Sequence, residues 1–168
     1  MKWILPSVAA LGLALDIVSK SWALASLNAG QARPLVPGIL RLNLTTNTGA
    51  AFGLGHGNGW FMTILAVTIL SAVVVWLVRR ERSGNPLSLC ERIGAGLLVG
   101  GAAGNIWERL LLGRVTDFLE FSFIDFPVFN AADVLIDLGA LLILLNTFAG
   151  SPAADDAHDG KTADRASG

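Results

Sequence analysis

Charged side chains within or beside the apolar stretches of this chain are the first candidates for chemistry. An ionised group near the centre of a bilayer costs at least about 2.5 to 3.5 kcal/mol, so such residues usually face protein or water and serve a function. The six candidates are Asp16, Lys20, Arg109, Asp117, Asp133 and Asp137.

Asp117 precedes the last apolar stretch, and Asp133 lies near the start of that stretch. Two carboxylates that converge in a poorly hydrated site share one proton, because both cannot ionise easily. One carboxylate can then deprotonate a water while the other protonates or hydrogen-bonds the attacked carbonyl. On the residues alone, separate structural roles are favoured over such a pair.

Asp133 has a structural explanation as a helix-capping residue. Asn130 directly precedes a helical apolar run, and an acid three residues later completes an arrangement like a capping box. The positive end of the helix dipole favours an ionised carboxylate there, so Asp117 would carry a shared proton at rest. Asp137, one turn further on the same face, could tune the pair, bind Lys20 or face an inner polar pocket. It could also take the catalytic place of Asp133, which its depth in the helix disfavours.

Asp16 and Lys20 are four residues apart and share one face of the first apolar helix. We interpret them as a self-neutralising pair that orients this helix against its neighbours, rather than as a direct substrate contact. In the third apolar stretch, Gly96, Gly100 and Gly104 have the spacing that lets membrane helices approach closely. A neighbouring face is formed by Gly101, Asn105 and Arg109.

The composition indicates a membrane protein. Of 168 residues, 53% are hydrophobic and 15% are charged, against about 25% charged in typical soluble domains. A bilayer span needs about 20 mostly apolar residues, and four stretches qualify: residues 3–27, 59–78, 93–112 and 128–148. The net charge of −1 and the absence of a basic stripe indicate that nucleic acid is not a partner.

The start of the chain is similar to a secretory signal peptide, but Asp16 and Lys20 interrupt its apolar core, so we expect a retained helix. The positive-inside rule predicts that both termini and the loop between the second and third stretches are cytoplasmic. The residues that carry this prediction are Lys2, Arg79, Arg80, Arg82 and Arg92.

The segments outside the apolar stretches have three different characters. Residues 39–44 alternate like a half-buried strand, which predicts a small sheet on the membrane surface. Residues 150–168 are small and acidic without periodicity, so we expect a disordered cytoplasmic tail after a domain of residues 1–149. His56, His158 and Cys90 lack neighbours with metal-ligand or disulfide spacing, and neither metal nor cofactor is expected.

Five ordered pieces of the sequence resemble the lipoprotein signal peptidases, or signal peptidase II, a family of aspartic proteases of bacterial membranes. The pieces are LDIVSK (15–20), NTGAAFG (47–53), GGAAGNIWER (100–109), GRVTDF (113–118) and FNAAD (129–133). The resemblance covers residues 15–145. It implies an all-α membrane protein with four transmembrane helices and a small extracytoplasmic β-sheet cradle formed by the first outer segment.

The resemblance also implies an activity and a set of site residues. Asp117 and Asp133 would be the catalytic pair, and the substrate would be a prolipoprotein with a diacylglyceryl-modified cysteine, cut just before that cysteine. Supporting polar roles fall on Asp16, Lys20, Asn47, Asn105, Arg109 and Asn130. The enzyme would be a monomer in the bacterial cytoplasmic (inner) membrane, in contact with membrane lipids, with its active site near the outer leaflet.

Two residues depart from the family pattern: Glu108 stands where aspartate is common, and Asp137 stands where an uncharged residue is expected. A different class also remains open, namely a small proton-coupled transporter or a non-catalytic lipid-binding bundle. A proton relay would need acids at staggered depths on several helices. Here the best-placed acids gather at one surface, which favours the peptidase.

Overall fold

The computed structural model describes residues 2–49, 59–84 and 86–149. The expected tail at 150–168 and the Gly-rich loop at 50–58, with part of the NTGAAFG piece and His56, lie outside the described residues. The helices are α1 (Ile4–Ser26), α2 (Gly59–Arg82), α3 (Leu89–Leu112) and α4 (Ala131–Ala149). The strands are β1 (Arg33–Val36), β2 (Leu40–Asn47) and β3 (Val115–Phe121).

Within the described residues, three helices are long and apolar enough to cross a membrane, where the sequence predicts four. They lie at Ile4–Ser26, Trp60–Arg82 and Ala131–Phe148, with mean hydropathies of 1.5, 2.6 and 1.8. The helix that falls short is α3, although it has 24 residues. Its glycines and polar side chains are buried against neighbouring elements, so less of its surface needs to be apolar.

Glycines in α3 allow α1 and α4 to pack directly on its backbone. A Cβ added at Gly100 would lie 2.5 Å from the carbonyl oxygen of Ala9 in α1. A Cβ added at Gly101 would lie 2.6 Å from the carbonyl oxygen of Ala132 in α4. The close approach predicted for the glycine row that contains Gly100 is therefore confirmed towards α1, and Gly101 gives a second close approach towards α4, so α3 lies between these two helices.

The small sheet has three antiparallel strands in the order β1-β2-β3. Only the first outer segment was predicted to form strands, whereas β3 comes from the segment between α3 and α4. Residues Val115 to Phe118 are all buried, so β3 has no polar–apolar alternation by which the sequence could reveal it. Pairing places Asp117 opposite Thr45, and Val115 opposite Asn47.

The end of α3 leads directly into β3. Gly113 adopts a left-handed conformation with φ of 68°, and its N–H donates to the carbonyl oxygen of Arg109 at 2.9 Å. Because a residue without a Cβ enters this conformation at little cost, α3 ends sharply. The polar last turns of α3 consequently lie beside the first residues of β3.

We expect Gly100→Ala to destabilise the protein, because its new methyl group would meet the main chain of α1 and push the two helices apart. Overpacking of this kind costs about 1 to 3 kcal/mol. Thermal unfolding of the purified protein in detergent measures the effect as a lower Tm.

Gly12→Ala is the matched control, since it lies in the same interface. A Cβ there would be 3.5 Å from Leu135 Cδ1 and 3.6 Å from Gly100 Cα, which are ordinary contacts. Its Tm should stay unchanged or rise, because alanine favours helix by up to about 1 kcal/mol over glycine. Equal losses in both variants would contradict direct backbone packing.

Candidate active site

A cavity of about 450 Å³ lies between the end of α3, β3 and the first turns of α4. Most of its wall is apolar, and aromatic side chains from the segment before α4 contribute to it. Among the predicted site residues, the cavity is lined by Asn47, Asn105, Arg109, Asp117, Asn130 and Asp133. Asp16 and Lys20 do not line this cavity, but they lie directly behind it.

Asn130 connects the two carboxylates of the predicted pair. Its side chain is fully buried, and its amide Nδ2 donates to Asp117 Oδ1 at 2.6 Å and to Asn105 Oδ1 at 3.2 Å. Its backbone N–H donates to Asp133 Oδ2 at 3.0 Å, while the Asp133 N–H donates back to Asn130 Oδ1 at 3.2 Å. The capping arrangement predicted for α4 is thus present, and it also holds Asp117.

The two carboxylates have different surroundings. Asp117 is only 3% exposed, on a strand that is buried around it. Asp133 is half-buried in the first turn of α4, and its Oδ1 accepts a hydrogen bond from Asn105 Nδ2 at 2.9 Å. The cavity therefore holds one deeply buried carboxyl and one more accessible carboxylate.

Burial is the main cause that raises the pKa of Asp117, to about 6. The negative charge of Asp133 raises this pKa further, whereas hydrogen bonds from Asn130 and Asn47 and the positive charge of Lys20 lower it. Desolvation outweighs the hydrogen bonds because a carboxylate loses its hydration on burial. Below about pH 6, Asp117 is therefore mainly neutral and can act as a proton donor.

Lys20 anchors a buried polar network behind the cavity. Its Nζ lies 2.9 Å from Asp16 Oδ2 and 3.2 Å from Glu108 Oε2, and it donates to Asn105 Oδ1 at 2.8 Å. All three donor positions of the ammonium group are used. Lys20 is thus separated from Asp133 by a single side chain, that of Asn105.

The same network reaches both elements that carry the acids. Asp16 Oδ1 accepts a hydrogen bond from the Ala132 N–H in the first turn of α4 at 3.2 Å. Glu108 accepts from the backbone N–H of Thr116 at 2.9 Å and from its hydroxyl group. The residues before Asp133 and Asp117 are consequently each bonded to a buried carboxylate of this network.

Glu108 and Thr116 are the contacts that sequence reasoning missed. The sequence marks Glu108 only as a departure from the family pattern, and it gives no sign of a role for Thr116. The available signal was the number of hydrogen-bond donors, since a buried Lys20 has three N–H donors and the adjacent Asp16 satisfies only one of them. Gly104 also belongs here, because a Cβ at that position would collide with the Asp16 carboxylate.

Arg109 points into the cavity with unused hydrogen-bonding capacity. Its Nη1 and Nη2 make long contacts of 3.5 Å with the carbonyl oxygens of Asn105 and Gly49. Its buried Nε has no hydrogen-bond partner among the described residues. The guanidinium charge interacts with both Asp133 and Asp117, so Arg109 is placed to donate to a group that enters beside them.

Asp137 also lines the cavity, and its side chain is exposed there. Its predicted pairing with Lys20 is absent from the part of the chain that the structure describes, where Lys20 bonds Asp16, Glu108 and Asn105 instead. Of the roles considered for Asp137, its position agrees with that of a residue facing a cavity, although most of the wall of this cavity is apolar.

Helices apolar enough for a membrane, a small sheet on top of them and two carboxylates held together in one cavity define the class of membrane aspartic proteases. Within this class, the family model for signal peptidase (SPase) II matches residues 8–149. The chain therefore belongs to the signal peptidase II family, and it is a bacterial membrane protein.

Relatives and solved structures agree with this assignment. The chain is 43% identical over 140 residues to a lipoprotein signal peptidase of Gloeobacter violaceus, covering 83% of this chain and 78% of that protein. It is 40% identical over 139 residues to the lipoprotein signal peptidase of Shouchella clausii, covering 83% and 89%. A solved bacterial membrane enzyme has a TM-score of 0.79 and 26% identity, covering 93% of this chain and 94% of its own.

The protonation of Asp117 can be observed directly by infrared spectroscopy. The C=O stretch of its neutral carboxyl group should lose intensity as the pH rises, with a midpoint near pH 6, because its raised pKa keeps the proton bound well above the usual range. Asp117→Asn should remove this titrating band. A band that disappears near pH 4, as for an exposed aspartic acid, would contradict the effect of burial.

Proposed function

We propose that this protein is an aspartic endopeptidase that removes the signal peptide from diacylglyceryl-modified bacterial prolipoproteins, cleaving just before the lipidated cysteine. The observation that carries the proposal is that Asn130 donates to both carboxylates, from its side-chain amide to Asp117 and from its backbone N–H to Asp133. The relatives in Gloeobacter and Shouchella are named lipoprotein signal peptidases, which supports the choice of substrate.

In the proposed reaction, Asp117 and Asp133 act as a general acid and base on one water molecule. The ionised Asp133 accepts a proton from the water as its oxygen attacks the scissile carbonyl, while the neutral Asp117 stabilises the developing oxyanion. Asp133 then gives its proton to the leaving amine, the C–N bond breaks, and the new acid and the free amine form. The unequal burial of the two carboxyls supports this division of roles.

The other polar residues of the cavity receive supporting roles in this proposal. Asn105 and Arg109 contact the substrate main chain or the lipid head group. Asn47 and Asn130 hold the carboxylates and substrate carbonyls. Asp16 and Lys20 position these groups from behind the cavity, through Asn105 and the first turn of α4.

We further propose that α3 is the fourth transmembrane helix, in a peptidase domain of residues 1–149. Its 24 residues give a length of about 36 Å, which is enough to cross a bilayer. Its buried glycines and polar residues contact protein rather than lipid. Polar groups are tolerated at membrane depth where protein buries them.

Four crossings would leave both termini in the cytoplasm and the basic end of α2 on the same side. The cavity would then open near the outer leaflet of the inner membrane. A modified cysteine anchored in that leaflet could enter laterally, and we propose that a monomer suffices, since every residue invoked belongs to one chain. A tail at 150–168 would remain cytoplasmic.

Cleavage should require both carboxylates and the lipid modification of the substrate. Purified protein in detergent should shift a diacylglyceryl-modified prolipoprotein on a gel and leave the unmodified form intact. Asp117→Asn and Asp133→Asn should each abolish turnover, because an amide can neither deprotonate the water nor supply the carboxyl proton.

A thermal unfolding measurement on each variant distinguishes lost chemistry from lost folding. Asp125→Asn is a matched control, since it makes the same chemical change at an exposed aspartate that does not line the cavity and should retain turnover. A proton-coupled transporter would give no cleaved product with any of these proteins, and that result from folded wild type would remove the proposed activity.

Arg109 should contribute through its fork of donors rather than through charge alone. Arg109→Lys keeps the positive charge near Asp117 and Asp133 but loses the geometry that can bind two carbonyl oxygens at once. We expect kcat/KM to fall by about 10-fold or more, as for the loss of a charge-assisted hydrogen bond of about 1.5 to 3 kcal/mol. Unchanged kinetics in a folded variant would show that Arg109 does not bind the substrate and would leave it a role in helix packing.

A further inference from the structure

Asp137 is the acid of the cavity to which the proposed mechanism gives no role. It lies one turn beyond Asp133 on α4 and lines the same cavity with an exposed side chain. Within residues 2–49, 59–84 and 86–149, it forms no hydrogen bond or ion pair. Its neighbours on this wall, Val134 and Leu138, are apolar.

A carboxyl group without a partner is unusual in a helix of this kind. Asp137 is the seventh residue of a helix that is apolar enough to cross a membrane, and ionisable residues in such helices usually face protein or water and serve a function. Lys20, the buried cation behind the cavity, has all its donors engaged by other groups. Arg109 in the cavity wall forms no hydrogen bond or ion pair with Asp137 either; its guanidinium contacts the carbonyl oxygens of Asn105 and Gly49. No described residue donates to Asp137, which leaves its carboxyl oxygens available to a group that enters the cavity.

The substrate brings such donors. A peptide must be locally extended to present its scissile bond, and its N–H and C=O groups then lose their helical partners. Each unsatisfied backbone group in a membrane costs several kcal/mol. An acceptor beside the extended segment would therefore stabilise the bound substrate whatever its side chains are.

The spacing of the two acids matches an extended peptide. Four residues of helix separate Asp133 and Asp137 by about 6 Å along the axis of α4. Two residues of extended chain cover about 6.6 Å. With the scissile carbonyl at Asp133 and the signal peptide continuing along α4, Asp137 lies beside the second or third residue before the cut.

We propose that Asp137 is a substrate-binding residue whose carboxyl oxygen accepts a hydrogen bond from a main-chain N–H of the signal peptide, two or three residues before the scissile bond. This inference rests on the proposed function. It assigns Asp137 to the recognition of backbone rather than of particular side chains, and it leaves the reacting atoms to Asp117 and Asp133.

Substrate affinity tests the role apart from cleavage. In the Asp117→Asn background, which cannot turn over, Asp137→Leu should weaken binding of a fluorescent diacylglyceryl lipopeptide about 10-fold, as for a lost hydrogen bond to a carboxylate. Asp137→Asn keeps a carbonyl acceptor and should lose less. Leu138→Ala is the control for a general change in the cavity wall.

Ester-containing lipopeptides identify the donor. Replacing one amide by an ester removes its N–H, so an ester at the second or third residue before the cut should weaken binding about 10-fold when Asp137 is present. The same ester should have little effect with Asp137→Leu. An ester six residues before the cut should affect both proteins equally.

Equal losses with and without Asp137 at every ester position would overturn the proposal. If Asp137→Leu leaves the affinity unchanged in the Asp117→Asn background and shifts the pH profile of kcat in the otherwise wild-type enzyme, the proposal is also overturned and Asp137 is assigned to tuning of the acid pair. If the ester effect depends on Asp137 but wild type cleaves no substrate, the binding role is supported and the proposed peptidase activity is removed. Failure of the binding role and failure of the proposed function are therefore distinguishable.

Discussion

The arrangement of the site depends on one buried side-chain amide, that of Asn130. Its Nδ2 donates to Asp117 in β3, and its Oδ1 accepts a hydrogen bond from the Asp133 N–H. The backbone N–H of Asn130 in turn donates to the Asp133 carboxylate. Because this side chain is fully buried, any shift of β3 against α4 would leave polar groups unpaired without water to replace them. The two elements must therefore keep one relative position, and the remaining structure provides it.

Two kinds of contact hold α1, α3 and α4 in that position. Close backbone packing at Gly100 and Gly101 sets the distance between the helices. The network around Lys20 then fixes their rotation, because its donors need partners from both α1 and α3. One ammonium faces two carboxylates here, and backbone N–H groups of Ala132 and Thr116 supply the remaining hydrogen bonds. Breaking a buried pair of this kind costs about 3 to 5 kcal/mol.

Local patterns in the sequence predicted those contacts that form between residues three or four positions apart. The capping of α4 by Asn130 and Asp133, the ion pair of Asp16 and Lys20 and the glycine packing of α3 all follow from spacings of three or four residues, and the structure confirms them. The strand that carries Asp117 was missed, because a strand buried on both faces has no alternation. Glu108 was missed as a partner of Lys20, since that contact joins residues distant in sequence. The lower hydropathy of α3 has a related cause: much of this helix faces protein, so its sequence carries buried glycines and polar residues in place of apolar ones.

The surroundings of the two carboxyl groups differ because Asp117 lies on a strand and Asp133 lies in the first turn of a helix. A strand enclosed between α3 and the cavity removes water from Asp117, and that loss raises its pKa. The first turn of α4 instead offers Asp133 backbone N–H groups and the positive end of a dipole, which favour negative charge. Two helix-borne acids at the same depth would lack this asymmetry. The small sheet therefore does more than cover the helices, because β3 gives one member of the pair an environment in which a proton stays bound.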